Sequence, residues 1–338
     1  MDGQNCNKLS TIRNWAKSQI TSWSENSIPY TKLVSKLSEI SEANKDVFVF
    51  LISNGKVRFL RKSYIDTRSD PTLRFFSYRG ALYYNFLTSV ASRYKGLNCL
   101  IGISVDDKCT HNLDIPLFSF QKSQASKLFL LPDIDLLINS FYRDFATDPY
   151  DYHQKNISAI FVGSTTGSIH TKKSVESLEN QRLRLAVFYK FSRKVTFNLP
   201  IICQTLDQDA EQAIIDLDVA GQRVSWNEKY QHRFLISVDG NGANCSRVAL
   251  GLRSKSALIK FSSSYELFYF SGLRPLFEYI PADCPEDVYT IIDKETSEPG
   301  HFEHIATNGK AFFDKFLTRE SCEYYTGELL LEYQKIFN

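Results

Sequence analysis

At 338 residues the chain is longer than one hydrophobic core usually supports, so its length favours two domains. Its composition, 43% hydrophobic and 23% charged, is typical of a globular protein. Since 40 basic residues nearly balance 38 acidic ones, the overall charge gives no general attraction to nucleic acid, and no apolar run approaches the length of a membrane span.

The first 150 residues predict a mixture of helices and strands. Apolar residues spaced three and four apart predict helix, and Asn54-Gly55 between two apolar runs predicts a hairpin. In chain order the predicted elements are a helix over 8–45, the hairpin over 47–61, a helix over 80–94, a strand over 97–107, and short apolar segments at 115–120 and 127–137.

A polar, turn-rich stretch at 145–157 is predicted as the domain boundary, and strands alternate with helices beyond it. The predicted strands lie at 157–163, 194–199, 234–239, 257–261 and 277–281, the helices at 179–192, 207–218, 246–254 and 265–270, and the tail from Pro285 is helical. This alternation predicts a parallel, doubly wound sheet with helices on both faces.

The N-terminal sequence lacks the apolar core of a signal peptide, so we expect a soluble, cytoplasmic protein with no nucleic-acid partner and at most peripheral membrane association. The seven cysteines are scattered, odd in number and without a C-x-x-C pair, which argues against a zinc site or a disulfide framework. His301 and His304 form a lone pair without further ligand signature, so no metal site is predicted.

The stretch FLISVDGNGANCSRVALGLRSKSALIKF, residues 234–261, joins a predicted strand to a predicted helix through small polar residues. A calcium loop starting at Asp239 is rejected, because positions 5, 6 and 12 are alanine, asparagine and leucine instead of the oxygen ligands and glycine required. A phosphate cradle fits better, since backbone N–H groups at a helix start favour anions and Arg247 lies in the first turn. A structural turn remains the alternative.

Two further stretches carry candidate chemistry. FVGSTTGS, residues 161–168, places hydroxyl groups after a strand and is followed by Arg182; the alternative is a Ser/Gly turn with a surface arginine. The strand over 97–107 ends in Asp106 and Asp107, which makes them acid/base candidates because neighbouring carboxylates raise one pKa and a strand end holds them rigidly. The alternative there is a strand ended by an Asx turn.

Together these stretches resemble glycosyltransferase family 90, which includes bacterial lipopolysaccharide and capsule glycosyltransferases and the eukaryotic protein O-glucosyltransferases. The resemblance covers residues 75–338 and is most specific between Lys229 and Ile280. The segments that carry it, in the family's order, are IGISVDD with IPLFSFQKS, FVGSTTGS with QRLRL, KYQHRFLISVDGN, SRVALGLRSKSALIK and YELFYFSGLRPLFEYIP.

The resemblance implies an α/β protein of GT-B fold, with two Rossmann-like domains facing a cleft that holds a nucleotide sugar. Residues 1–150 would form the N-terminal acceptor-side domain, to which helices at 312–338 return, and residues 151–311 the C-terminal nucleotide-sugar-binding domain. It also implies an inverting reaction that needs neither a metal ion nor another cofactor.

Carried over by position, Asp107 is the general base that deprotonates the acceptor hydroxyl, with Asp106 as second choice. Arg182 and Arg247 would hold the diphosphate, because without a metal only arginines and helix N-termini can neutralise it. Arg184 is a rival to Arg182, and an extra residue within ANCS leaves the register of Arg247 open. The full set of implied donor-binding residues is Gly163, Ser164, Thr166, Arg182, Asp239, Gly240, Asn241, Arg247 and Glu266.

The expected function is therefore metal-independent, inverting transfer of a sugar, glucose or xylose, from a UDP-sugar to a hydroxyl of a lipopolysaccharide- or capsule-type glycan or glycolipid. A cytoplasmic enzyme at the inner face of a membrane fits this expectation. Two alternatives are transfer of glucose or xylose to a protein serine, and a non-catalytic glycan- or nucleotide-binding protein that retains the fold.

Overall fold

A computed structural model describes residues 3–23, 28–60, 70–107, 115–243 and 245–337. By its internal contacts the chain divides into two compact units. The first unit comprises residues 1–144, 265–272 and 315–338, and the second comprises 145–264 and 273–314. Within the described residues, no helix combines the length and apolar composition needed to cross a bilayer.

Numbered in chain order, the strands are β1 (Val47–Ser53), β2 (Lys56–Leu60), β3 (Asn98–Ser104), β4 (Leu117–Ser119), β5 (Lys122–Ser123), β6 (Phe129–Leu130), β7 (Asn156–Ser164), β8 (Val195–Ile201), β9 (His232–Ser237), β10 (Ala257–Phe261), β11 (Tyr265–Glu266) and β12 (Ile280–Ala282). The α-helices are α1 (Gly3–Ile20), α2 (Tyr30–Ala43), α3 (Pro71–Arg93), α4 (Ile134–Ile138), α5 (Lys172–Glu176), α6 (Gln181–Tyr189), α7 (Gln208–Asp216), α8 (Trp226–Lys229), α9 (Cys245–Arg253), α10 (Pro285–Ser297), α11 (Glu303–Phe316) and α12 (Arg319–Phe337). Short 3-10 helices lie at Thr21–Trp23, Ser140–Tyr142, Tyr152–Gln154 and Phe270–Gly272.

The sheet of the first unit is mixed and has the order β2-β1-β3-β4-β6. The predicted hairpin is confirmed: β1 and β2 pair antiparallel around Asn54 and Gly55, whose φ angles of 51° and 71° suit such a turn. β1 also pairs antiparallel with β3, whereas β3, β4 and β6 are parallel. The first unit thus departs from an all-parallel Rossmann-like sheet, because the hairpin occupies the edge beside β3.

The last helix, α12, completes the core of the first unit. Its Tyr333 lies 5.0 Å from the ring of Phe118 on β4 and 5.6 Å from that of Phe129 on β6. The Tyr333 hydroxyl donates to the Leu100 carbonyl at 3.0 Å, and the Tyr325 hydroxyl donates to the Leu130 carbonyl at 2.8 Å. The C-terminal end of the chain therefore belongs structurally to the unit with which the chain begins.

The second unit is built on a five-stranded sheet of order β12-β10-β9-β7-β8, and all of its strand pairs are parallel. The parallel sheet predicted from the alternation of strands and helices is confirmed. Its interior contains Phe161 and Phe197, which stack with ring centroids 4.3 Å apart on neighbouring strands. The predicted helical tail is also confirmed, as α10 to α12.

The helix predicted at 265–270 is wrong. Tyr265 and Glu266 form β11, which pairs antiparallel with β5, and a 3-10 helix follows at Phe270–Gly272. The composition of residues 265–270 suggested a helix, but the backbone of the first two residues forms hydrogen bonds with β5 of the first unit instead. The apolar segment predicted at 127–137 contains β6 followed by α4, which begins where Asp133 accepts from Leu136 N at 3.0 Å.

Asp133 also gives the first unit a pH-dependent stability. Its side chain is fully buried, and among the described residues its Oδ2 has no partner. Burial, and then the charge of Asp135, raise its pKa from 3.8 to about 7. The folded carboxyl keeps its proton where the unfolded one has lost it, so the free energy of unfolding falls as the pH rises from about 4 to about 7, by a few kcal/mol at most.

We expect Asp133→Asn to remove this decline, because an amide does not titrate while its oxygen still caps α4. Urea unfolding of both proteins across this pH range measures the effect. An equally steep decline in the variant would contradict the assignment to Asp133.

Candidate functional site

The candidate site lies at the carboxyl edge of the parallel sheet in the second unit. β7 has β8 on one side and β9 on the other, so the strand order reverses between β7 and β9. In open α/β sheets ligands bind outside the strand ends at such a reversal. The two glycine-containing stretches predicted from the sequence leave the sheet at this place, at residues 163–168, which include the last two residues of β7, and at residues 238–243 after β9.

Direct hydrogen bonds join these two loops. The N–H of Gly167 donates to Asn241 Oδ1 and to Gln204 Oε1, both at 3.2 Å. The Gln204 amide in turn donates to Asn241 Oδ1 at 2.9 Å, which adds the loop after β8. Gly167 has a φ of 131°, a conformation that favours glycine. The loops after β7, β8 and β9 are therefore joined through Gly167, Gln204 and Asn241, and we call these joined loops the rim.

Arg182 on α6 donates hydrogen bonds to both the β7 and the β9 loops of the rim. Its buried guanidinium donates from Nε to the Asp239 carbonyl at 2.8 Å and from Nη2 to the Val238 carbonyl at 3.0 Å. Its Nη1 donates to Thr166 Oγ1 at 2.7 Å and to the Ser164 carbonyl at 3.0 Å. Burial lowers the pKa of Arg182 to about 10. Four of the five N–H donors of a guanidinium are thus engaged by the two loops.

This arrangement explains the glycine at position 240. A Cβ there would lie 2.7 Å from Arg182 Nη2 and 2.7 Å from Thr166 Oγ1. Real Cβ atoms do not approach so closely, and neither neighbour is free to move because the two are hydrogen-bonded to each other. Gly240 therefore allows the β9 loop to close over Arg182.

The Asp239 side chain is bonded to the loop after β10, whereas its carbonyl is bonded to Arg182. Its Oδ2 accepts from the Ser263 hydroxyl at 2.6 Å. Burial raises the pKa of Asp239, while the Ser263 hydrogen bond and the charges of Lys260 and Arg182 oppose the rise. Asp239 therefore accepts two hydrogen bonds within the rim: its carbonyl accepts from Arg182, and its carboxylate accepts from Ser263.

Arg247, in the first turn of α9, reaches the start of the β7 loop. Its Nη2 donates to the Val162 carbonyl, and its guanidinium lies 4.3 Å from the centroid of the Phe161 ring. A Cβ at Gly163 would lie 3.1 Å from Nη2 of Arg247. The rival Arg184 is exposed and donates only to the Leu178 carbonyl, at 3.3 Å, among the described residues.

The second unit therefore brings together eight of the residues predicted for donor binding. They are Gly163, Ser164, Thr166, Arg182, Asp239, Gly240, Asn241 and Arg247. Glu266 is not among them, because it lies on β11 in the first unit, where its carboxylate is 3.9 Å from Lys122 Nζ. Asp239, Ser164 and Thr166 contribute backbone or side-chain acceptors to Arg182, which the sequence pattern did not reveal.

Asp107 follows β3 in the first unit and forms an ion pair there. Its Oδ1 lies 2.7 Å from Nη1 of Arg79, which also donates to the Val105 carbonyl at 2.7 Å. The Arg79 guanidinium is buried and lies 4.0 Å from the centroid of the Phe75 ring. The carboxylate itself is 38% exposed, so Arg79 orients a group that solvent still reaches. Among the described residues Asp106 has no such ion pair.

Sequence reasoning missed Arg79 and Gln204. Arg79 stands among the buried positions of α3, which include Gly80 and Tyr83, and a cation on a buried helix face signals a buried anion or polar partner. Gln204 carries no such signal, because only the parallel sheet brings the loop after β8 beside Asn241. Among the described residues, no three His, Cys, Asp or Glu side chains are placed together to hold a metal ion.

Comparison with known families gives one match. The family described as Glycosyl transferase family 90 matches residues 104–338, more than half of the chain, including Asp107 and both loops of the rim. The match begins later than residue 75, from which the resemblance was expected. A comparison with curated proteins finds no significant match.

Proposed function

Because the chain belongs to glycosyl transferase family 90, whose activity is glycosyl transfer, we propose that it moves a sugar from a UDP-sugar to a hydroxyl of a glycan acceptor, with inversion and without a metal. The observation that carries this proposal is the rim at the strand-order reversal of the second unit, where two loops, the start of α9 and Arg247 converge.

The rim suits the diphosphate of a nucleotide sugar. Backbone N–H groups at the first turn of a helix attract anions, and the guanidinium of Arg247 lies at the same loop. Arg182 already donates four N–H groups to the loops, so its proposed role is to hold their shape while Arg247 carries the charge. The choice of uridine as the nucleoside rests on the family resemblance alone.

The proposed base is Asp107. Its Oδ1 is held by Arg79, which leaves Oδ2 as the oxygen that would take the proton from the acceptor hydroxyl. Direct displacement with inversion needs one base and no covalent enzyme intermediate. As the family resemblance implies, we propose a GT-B organisation in which the first unit supplies this base and the second binds the donor.

Exposed aromatic rings beside Arg79 support a glycan acceptor. Phe75 and Tyr78 on α3 are 45% and 51% exposed, and Phe75 contacts the guanidinium that holds Asp107. Flat rings offer an apolar surface to the apolar face of a sugar ring. We propose glucose or xylose as the transferred sugar and a lipopolysaccharide- or capsule-type glycan as the acceptor, on the cytoplasmic side of a membrane.

A thermal-shift series with UDP-, GDP- and CMP-sugars, each with and without EDTA, tests the donor class. We expect UDP-sugars to raise Tm with or without EDTA, since a ligand at a hundred times its Kd stabilises by about 2.7 kcal/mol. Stabilisation by GDP- or CMP-sugars alone, or stabilisation lost on chelation, would contradict the proposal. Release of UDP in the presence of an oligosaccharide acceptor then distinguishes an enzyme from a protein that only binds the donor.

A further inference from the structure

Lys229 occupies an unusual place in the second unit. It is the last residue of α8. The first turn of this helix is stabilised by a capping box between Ser225 and Glu228. Its half-buried ammonium lies 4.5 Å from the centroid of the Trp226 ring. Trp226 packs against a hydrophobic cluster of Ile160 and Val162 on β7, Leu235 on β9, and Tyr230 at the end of α8. The ring that the Lys229 ammonium faces therefore packs against residues of β7 and β9, the strands between which the order reverses.

Among the described residues Lys229 forms no ion pair. The charge that acts on it most strongly is a second cation, Arg247, and burial and Arg247 together lower the pKa of Lys229 to about 8. The carboxylate of Glu228 is engaged by its own cap, where it accepts from Ser225 N at 2.6 Å. On α9, Arg253 is engaged by the carbonyls of Phe145 and Ala146, both at 3.0 Å.

Both side chains are linked to Val162 on β7: the Trp226 ring under the Lys229 ammonium packs against the cluster that contains Val162, and Arg247 donates to the Val162 carbonyl. Two cations placed in this way repel each other, and a bound anion relieves the repulsion. Arg247 connects this pair to the rim, because its Nη2 donates to the Val162 carbonyl just before Gly163. We propose that Lys229 and Arg247 together bind the diphosphate of the donor, so that Lys229 supplies the second positive charge of the phosphate site. This inference rests on the proposed function and deepens it.

A lysine that binds the diphosphate changes its protonation when the ligand binds, whereas a purely structural lysine does not. Without ligand, part of the Lys229 population is deprotonated near pH 8. A bound diphosphate favours the charged ammonium, so binding draws a proton from solution at pH values around and above the pKa of the free protein. UDP affinity is therefore full below that pKa and declines as the pH rises through it.

The test is isothermal titration calorimetry of the full chain with UDP and with uridine, in buffers of different ionisation enthalpy. We expect the unaltered chain to take up protons on binding UDP near pH 8 and none on binding uridine. In Lys229→Met, UDP affinity falls about tenfold or more, uridine affinity stays the same, and proton uptake disappears. Lys229→Arg retains UDP affinity but also loses the uptake, because arginine does not titrate in this range.

The matched control is Lys310→Met, which removes an exposed lysine of the same unit, paired with Asp314 on its own helix. It should bind UDP as the unaltered chain does. Unchanged UDP affinity in Lys229→Met, an equal loss of uridine affinity, or proton uptake that persists in that variant would overturn the role of Lys229 while leaving the donor class standing. Failure of the unaltered chain to bind UDP at all would overturn both.

Discussion

Asp107→Asn is expected to lower kcat for sugar transfer by about 10²–10⁴-fold while leaving the Kd for UDP nearly unchanged. The amide cannot take a proton from the acceptor hydroxyl, yet its oxygen can still accept from Arg79, so the local structure is retained. Initial rates with saturating donor measure the loss, and titration with UDP measures binding.

Asp106→Asn is the control for this variant. The two residues are adjacent, but only Asp107 forms the ion pair with Arg79 among the described residues. We expect Asp106→Asn to retain most of the transfer rate. Full activity in Asp107→Asn would refute its role as the base, and loss of activity in Asp106→Asn alone would move that role to the second choice.

Arg182→Met is expected to lower the free energy of unfolding by about 3 kcal/mol and to weaken UDP binding about tenfold or more. The substitution leaves the carbonyls of Ser164, Val238 and Asp239 without the donors that hold both loops. Chemical denaturation measures the stability, and calorimetric titration with UDP measures the loss of a preformed rim.

Arg184→Met provides a matched comparison two residues further along α6. Arg184 is exposed and its one described hydrogen bond, to the Leu178 carbonyl, is 3.3 Å long, so we expect a change within about 0.5 kcal/mol and unaltered UDP binding. Equal effects of the two substitutions would show that the loops do not depend on Arg182.

Local sequence patterns predicted much of the fold because they determine local structure. Asn54 and Gly55 adopt the positive φ angles that a two-residue hairpin needs, and the hairpin is present. The helix expected at 265–270 failed because the backbone of Tyr265 and Glu266 pairs with β5, more than a hundred residues earlier in the chain. No pattern within a window of six residues carries that information.

The candidate site shows the same limit. Glycines and hydroxyl residues after two strands indicated where the loops lie. They did not indicate that the guanidinium of Arg182 would donate its hydrogen bonds to the carbonyls of these loops. Lys229 was part of the segment that resembles the family, yet its link to Arg247 through Trp226 and Val162 depends on how α8 and α9 meet the sheet. Residue types led to the prediction of a diphosphate ligand, and three-dimensional contacts were needed to propose different roles for Arg182 and Arg247.

The return of α12 to the first unit has a consequence for synthesis on the ribosome. Residues 315–338 complete a core whose strands were made some two hundred residues earlier, whereas the second unit is complete at residue 314. The unit that begins the chain is thus the last to gain all its parts, contrary to the usual order of folding during translation. Until α12 emerges, Phe118 and Phe129 lack the ring of Tyr333, which packs against both of them in the complete unit.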